Sequence, residues 1–313
     1  MSPDRTPSGA GLAEDEEVES DGMLLEELAA SSAPRSARPN RRRRRTLAWL
    51  AAVWVVVVFV AAVFASVLPI PDPGSPVGPP RMAPFEEWGD GLALGTDSFG
   101  RSNLSRVVFG ARASMLIGIA ATAIGLAIGG FVGLISGYRR GWADRSSSFA
   151  VDTLLAFPPL VMLLTLTAVL QPKISTMLIG LSILVIPTFI RLERASAMAW
   201  AERPFVLAAR SYGTRDMRIA LRHVLPNSAL TLITYVPTVI SALIVAEGSL
   251  SFLGLGIPSP TPSWGGMIAE GKTALRTDPS VVFVPAAVVF LTVLAFNVLG
   301  ENVRARFDSR GRS

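Results

Sequence analysis

Few side chains in this sequence are suited to chemistry. The chain has one histidine, His223, and no cysteine. That excludes a disulfide framework, a thiol nucleophile, a cysteine metal site and a cluster of histidine ligands. No metal and no directly bound cofactor is expected. The two lysines, Lys173 and Lys272, lack the glycine spacing of a G-x-x-x-x-G-K-[ST] phosphate loop. The chain is therefore not expected to hydrolyse nucleotide itself. Asp152 and Glu247 stand near the ends of apolar runs, and Asn297 is polar but uncharged. No ionisable residue is expected at the centre of a run. Ion-coupled carriers need such charges and voltage sensors need rows of arginine, so both classes fit poorly. No catalytic residue is assigned, and attention moves to the segments between the apolar runs.

The elements that position those segments follow from composition. Hydrophobic residues make up 50% of the 313-residue chain and charged ones 17%, with a mean hydropathy of +0.46. A soluble chain would be about one quarter charged. Six apolar runs, at 47–68, 113–137, 149–170, 174–190, 229–246 and 281–299, read as membrane-spanning helices. At ~1.5 Å rise per residue, about 20 residues cross a ~30 Å hydrocarbon layer. The first run exceeds the usual signal-peptide core and no A-x-A site follows it, so it is expected to stay in place. The expected fold is all-α and integral to the membrane, with six transmembrane helices.

Six spans place both termini on one side, and the basic residues choose which. With the termini inside, 22 of the 29 basic residues fall on inner segments and 7 on outer ones. Arg41 to Arg45 abut the first span. This is the positive-inside bias. It accounts for the net charge of +5 without nucleic acid, and membrane lipid is the expected surrounding. The organisation is a disordered cytoplasmic tail (1–46), the first span (47–68), an extracytoplasmic segment (69–112), a five-helix core (113–300) and a cytoplasmic tail (301–313). Within the core lie a cytoplasmic loop (191–227) and an extracytoplasmic loop (248–280). Residues 14–19 are acidic, and the tail has too little apolar surface to offset its ordering entropy.

The loop 191–227 is not a plain turn. Residues 199–213 read as a short helix capped by Gly213, and 214–227 as a second, capped by Thr214 and bounded by Pro226. Apolar and basic residues interleave in both. Such a pair is either a handle for a cytoplasmic partner or an amphipathic pair on the inner leaflet. In the second span, Gly125, Gly129, Gly133 and Gly137 recur at steps of four and share one face. That face lets a helix approach closely, from within the bundle or from a partner subunit. Pro158-Pro159, Pro187, Pro237 and Pro285 interrupt the backbone ladders of the remaining four spans.

The loop resembles that of the permease subunits of ATP-binding-cassette importers. The family pattern is E-A-A, three residues, G, nine residues, I, one residue, L-P. Here Ala208, Ala209, Gly213, Leu225 and Pro226 match, while Leu207 stands for the glutamate and His223 for the isoleucine. Further segments resemble the dipeptide, oligopeptide and nickel branch. These are Leu94-Gly95-Thr96-Asp97-Ser98-Phe99-Gly100-Arg101, Phe109-Gly110-Ala111-Arg112, and Asp152 through Pro159. Leu250 through Gly256, Pro260 through Gly265, and Leu294-Ala295-Phe296-Asn297 complete the set. The likeness is to the C-type permease and spans about 93–308 plus the first run; the acidic tail lies outside it.

The resemblance implies the type I importer fold and a complex. A second homologous permease would complete a heterodimer. Two ATP-binding-cassette ATPases would use ATP and Mg on the inner face, and an extracytoplasmic peptide-binding protein would deliver cargo. Leu207, Ala208, Ala209, Arg210, Gly213, Arg215, Arg218, His223, Leu225 and Pro226 would form the ATPase-coupling site. Arg210, Arg215 and Arg218 would pair with partner carboxylates. The implied function is dipeptide or oligopeptide import across a bacterial plasma membrane. Nickel or another small solute is the alternative cargo. An ATP-independent channel or carrier, and a scaffold that only recruits a cytoplasmic protein, are the alternatives of a different class.

Overall fold

Inside hydrocarbon, every backbone N–H and C=O must find a partner within the protein, which long helices provide. The computed structural model describes residues 41–89 and 91–310. Of the expected disordered tail (1–46), residues 1–40 with the acidic stretch lie outside the described residues, as do 90 and 311–313, while 41–46 are helical. The helices are α1 (Arg41–Phe64), α2 (Asn103–Arg139), α3 (Gly141–Ala156), α4 (Pro159–Leu170) and α5 (Ile174–Ala201). There follow α6 (Pro204–Ser211), α7 (Asp216–Ile219), a π-helical turn (Ala220–Val224), α8 (Leu225–Phe252), α9 (Trp264–Gly271) and α10 (Ser280–Arg310).

Among the described residues, five helices are long and apolar enough to cross a membrane: Arg45–Phe64, α2, α5, the continuous Asp216–Phe252 and Ser280–Phe307. The expected third span, 149–170, is not one straight helix. Helices α3 and α4 are bent by 83° and make a sixth span only if taken together. The reason is local. Pro159 disfavours helical backbone in the residue before it, and Phe157 and Pro158 are both extended, with ψ of 128° and 126°.

Most other boundaries shift outward from the apolar runs. Helix α1 starts early, at Arg41, although it stops at Phe64, inside the expected 47–68 run. Helix α2 starts at Asn103, inside the expected extracytoplasmic segment, because Ser102 caps it: the Ser105 N–H donates to Ser102 Oγ at 3.1 Å. Helix α5 runs on to Ala201, so the expected loop starting at 191 begins as helix. Helix α10 likewise carries on past 300 to Arg310. A run of apolar residues measures the hydrocarbon; the hydrogen-bond ladder continues beyond it.

The glycine face of α2 lies on α5. A Cβ on Gly129 would sit 2.6 Å from the Phe189 Cβ, and one on Gly133 would sit 2.7 Å from the Ile190 carbonyl oxygen. Gly125 and Gly137 face Val185 and Arg194 in the same way. The close approach is thus made within this chain. Around it, Ile117, Ala121, Met177, Leu181, Phe189, Leu243 and Leu250 form the main core. A second cluster joins Val58 and Ala62 of α1 to Met115, Ile244, Trp264 and Phe296.

Candidate functional site

Residues 202–225 fold back onto one end of the bundle. Val206 of α6, Ile219 of α7 and Val224 of the π turn are fully buried. They pack on Leu134 and Tyr138 of α2 and on Ala197 and Ala201 of α5. Burying such aliphatic side chains stabilises the segment by roughly 1.5–3 kcal/mol each. The segment is therefore fixed to two spans from beneath.

Its other face is bare. Phe205, Leu207, Met217 and Leu221 are about half exposed and Tyr212 is 89% exposed. Arg210, Arg215, Arg218 and Arg222 are exposed among them. Large apolar side chains beside arginines, on polar-flanked helices outside the core, make a surface suited to protein contact.

The turn between α6 and α7 is set by one residue. Helix α6 is capped at its C-terminus by Tyr212, whose N–H donates to the Ala208 carbonyl at 3.0 Å. The N–H groups of Gly213 and Thr214 return to the carbonyls of Arg210 and Ala209, at 3.0 and 3.2 Å. This closes the helix end and requires a left-handed residue, and Gly213 has φ of +73°. A Cβ there would meet nothing within 4 Å, so backbone conformation alone demands the glycine.

Polar contacts hold the segment's root. The Tyr138 hydroxyl donates to Asp216 Oδ1 at 2.9 Å and accepts from Arg210 Nη2 at 3.3 Å. That bond to Tyr138 pushes the Arg210 guanidinium up, so it stays a fixed cation. Arg140 pairs with Glu202. These groups, with Arg139 and Leu207, surround an open hollow of about 450 Å3.

The structure gathers the expected loop residues on one segment but in different settings. Leu207, Ala208, Arg210, Arg215, Arg218 and Pro226 are exposed. Ala209 and Leu225 are half-buried against the core under the segment. His223 is half-buried, and its carbonyl accepts from Asn227 Nδ2 at 2.7 Å. The four glycines lie elsewhere, between α2 and α5. One capping expectation is corrected: Arg215, not Thr214, is the N-cap of α7. Pro226 sits in the first turn of α8, just past the end of the π turn, where its missing N–H costs little. The turn 220–224 instead widens into a π helix, with the Leu225 N–H reaching back to the Ala220 carbonyl. The expected second short helix is thus the start of α8's own column.

Sequence reasoning missed Tyr138, Asp216, Glu193 and Ser228. Glu193, expected in the loop, is a fully buried residue of α5. Its Oε1 accepts from Ser228 Oγ at 2.5 Å. A helical repeat through Phe189, Glu193 and Ala197 was the available signal.

The far end of α2 carries a second polar assembly. Arg101 Nε lies 2.6 Å from Asp97 Oδ2, and Arg106 also pairs with Asp97. Arg101 Nη2 and Arg106 Nη2 reach Glu270 Oε2 of α9 at 2.9 and 2.7 Å. Burial opposes ionisation of Asp97, but backbone N–H groups of Arg101 and Phe99 and the nearby guanidiniums outweigh it and hold its carboxyl below the usual range. Glu247 is buried under hydroxyls: Ser114 donates at 3.0 Å and Ser251 at 2.8 Å. The 69–102 segment, α9 and the bundle are thereby joined.

Residues 129–313 match the family model described as binding-protein-dependent transport system inner membrane component, more than half of the chain. The chain belongs to this transport family. It is 38% identical over 272 residues to the glutathione transport system permease protein GsiD of Escherichia coli O1:K1 / APEC, covering 86% of this chain and 88% of that protein. The protein of the same description from Shigella boydii serotype 4 (strain Sb227) matches to the same extent, 38% over 272 residues. A solved structure described as inward-facing conformations of the MetNI methionine ABC transporter matches with a TM-score of 0.53 and 17% identity. It covers 64% of this chain and 95% of that one, and shows a shared fold. The resemblance read from the loop motifs agrees with this membership. The chain is a multi-pass inner-membrane permease subunit of an ATP-binding-cassette importer, and such subunits act with ATPase and binding-protein partners.

Proposed function

We propose that this chain is one half of the translocation pathway of a peptide importer, paired with a second homologous permease. Both termini face the cytoplasm, as the distribution of arginines favours. The face formed by Leu207, Ala208, Arg210, Gly213, Arg215 and Arg218 seats in a groove on a partner ATPase. Closure of the ATPase pair on ATP and Mg displaces this segment, and its buried underside passes the displacement to α2, α5 and α8. Ala208 and Ala209 allow close approach, the arginines meet carboxylates, and Leu207 supplies apolar contact where the family pattern has a glutamate. His223, Leu225 and Pro226 set how the segment enters α8. The 69–102 segment and α9 offer the extracytoplasmic face to a peptide-binding protein.

The observation that carries this reading is the exposed apolar and arginine face on a segment whose other side is packed into two spans. The cargo class rests on similarity to the glutathione permeases. Affinity purification in mild detergent, with mass spectrometry of what is retained, tests the assembly. Recovery of a second permease and one or two ATPases is the expected result. Recovery of this chain alone, with uptake unaffected by ATP depletion, would replace the reading with a channel or carrier.

A further inference from the structure

Glu193 is a costly residue for its place. It is fully buried where α2, α5 and α8 meet, with the Gly133 backbone pressed against its stem. Its Oε1 accepts from Ser228, while its Oε2 has no hydrogen-bond partner among the described residues. An aliphatic side chain of similar size would pack there without leaving a polar atom unsatisfied. Stability therefore does not explain a carboxyl group at this point.

Its one bond leads to the coupling segment. Ser228 lies in the first turn of α8, and its hydroxyl also lies 3.4 Å from the Leu225 carbonyl. Leu225 follows the π turn that ends the segment and is half-buried under it. The next residue of α5, Arg194, pairs with Asp144 of α3, its Nη2 standing 2.9 Å from Oδ2. So this stretch of α5 holds both α3 and the entry to α8 by polar bonds, directly beneath α6 and α7. Apolar packing would allow α8 to slide along α5. A directional hydrogen bond in an environment without water does not.

We propose that Glu193 is a positioning residue: its bond to Ser228 makes α5 and the start of α8 move together when the coupling segment is displaced. This rests on the reading of residues 202–225 as the ATPase-coupling segment. The role needs no ion, no substrate contact and no proton transfer.

The absence of cysteine allows a clean test in the assembled complex. Spin labels on Lys173→Cys and Ser249→Cys report the distance between the outer ends of α5 and α8. The complex is reconstituted with its partner ATPases, with and without a non-hydrolysable ATP analogue and Mg. The wild-type background is expected to show a nucleotide-dependent second distance. Glu193→Gln, which keeps an acceptor for Ser228, is expected to retain it. Complexes carrying Glu193→Leu or Ser228→Ala are expected to bind nucleotide normally on their ATPases, with the population of the second distance lowered about tenfold. Should Glu193→Leu fail to assemble, Ser228→Ala, which lacks one hydroxyl, decides alone. An unchanged distance response in Ser228→Ala or Glu193→Leu overturns the positioning role and leaves the coupling reading standing. No nucleotide response in the wild type overturns both.

Discussion

The Tyr138 hydroxyl, at the last turn of α2, donates to Asp216 Oδ1 of α7 at 2.9 Å. This bond ties the 202–225 segment to a 37-residue helix whose other end begins beside the Asp97 charge network. Tyr138→Phe keeps the ring packed on Ala197 and Val206 and removes only the hydroxyl. A lost side-chain hydrogen bond costs about 1 kcal/mol. Amide exchange across 203–224 is expected to accelerate about fivefold, with the rest of the bundle unchanged. Unchanged exchange there would show that apolar packing alone holds the segment.

Gly213 makes a sharper case because a side chain there would touch nothing within 4 Å. With φ of +73° and open space around it, an alanine there is opposed only by backbone conformation. Gly213→Ala is expected to cost about 1–2 kcal/mol and to weaken ATPase retention during purification. Gly213→Pro cannot adopt the conformation, and is expected to lose ATPase retention and uptake while inserting normally into the membrane. Retention equal to wild type in the proline variant would separate the turn from ATPase docking.

The glycine face of α2 predicts damage of another kind. A Cβ at Gly133 would lie 2.7 Å from the Ile190 carbonyl oxygen, a backbone atom that cannot rotate away. Gly133→Val is expected to force α2 and α5 apart and lower stability by about 1–3 kcal/mol. Thermal unfolding in detergent would register this. An exposed control, Leu116→Val on the same helix, is expected to unfold like wild type.

At the other end, the Asp97 network gives a pH signature. The folded carboxyl titrates below its ordinary value of 3.8. Its contribution to stability is therefore complete above pH 3.8 and disappears as pH falls further, through the folded value. Asp97→Asn leaves Arg101 and Arg106 buried with one charge fewer, an effect of about 3–5 kcal/mol. The unfolding temperatures of wild type and Asp97→Asn are expected to differ at neutral pH and converge below pH 3.8. A constant difference down to pH 3 would contradict this titration.

The spans were legible because their residues answer to one solvent. A lipid-facing helix must be apolar over its whole crossing, so five of the six expected runs correspond to helices long and apolar enough to cross. What lay beyond the hydrocarbon was read less well. Arg191, Glu193 and Arg194 broke the apolar run, yet α5 continues through all three. Their polar groups are absorbed by Asp152, Ser228 and Asp144 on other helices. Such partners are remote in sequence and leave no local pattern. The bend at Phe157-Pro158 was foreshadowed by the double proline, but proline inside α5, α8 and α10 is accommodated without ending the helix. Within the loop, the Gly213 turn was legible because a positive φ restricts residue type. The π turn at 220–224 was not, since no residue type marks it.

The central claim is that the face bearing Leu207 and Arg210 contacts an ATPase. The cysteine-free chain allows single cysteines at Leu207 and Leu221 on that face, and at Trp88 on the 69–102 segment, each exposed. A short bifunctional cross-linker would be applied to membranes containing the whole complex. Cross-links from Leu207→Cys and Leu221→Cys to an ATPase subunit, and none from Trp88→Cys, are the expected result. An ATPase captured from Trp88→Cys instead, or from neither loop position, would contradict the account.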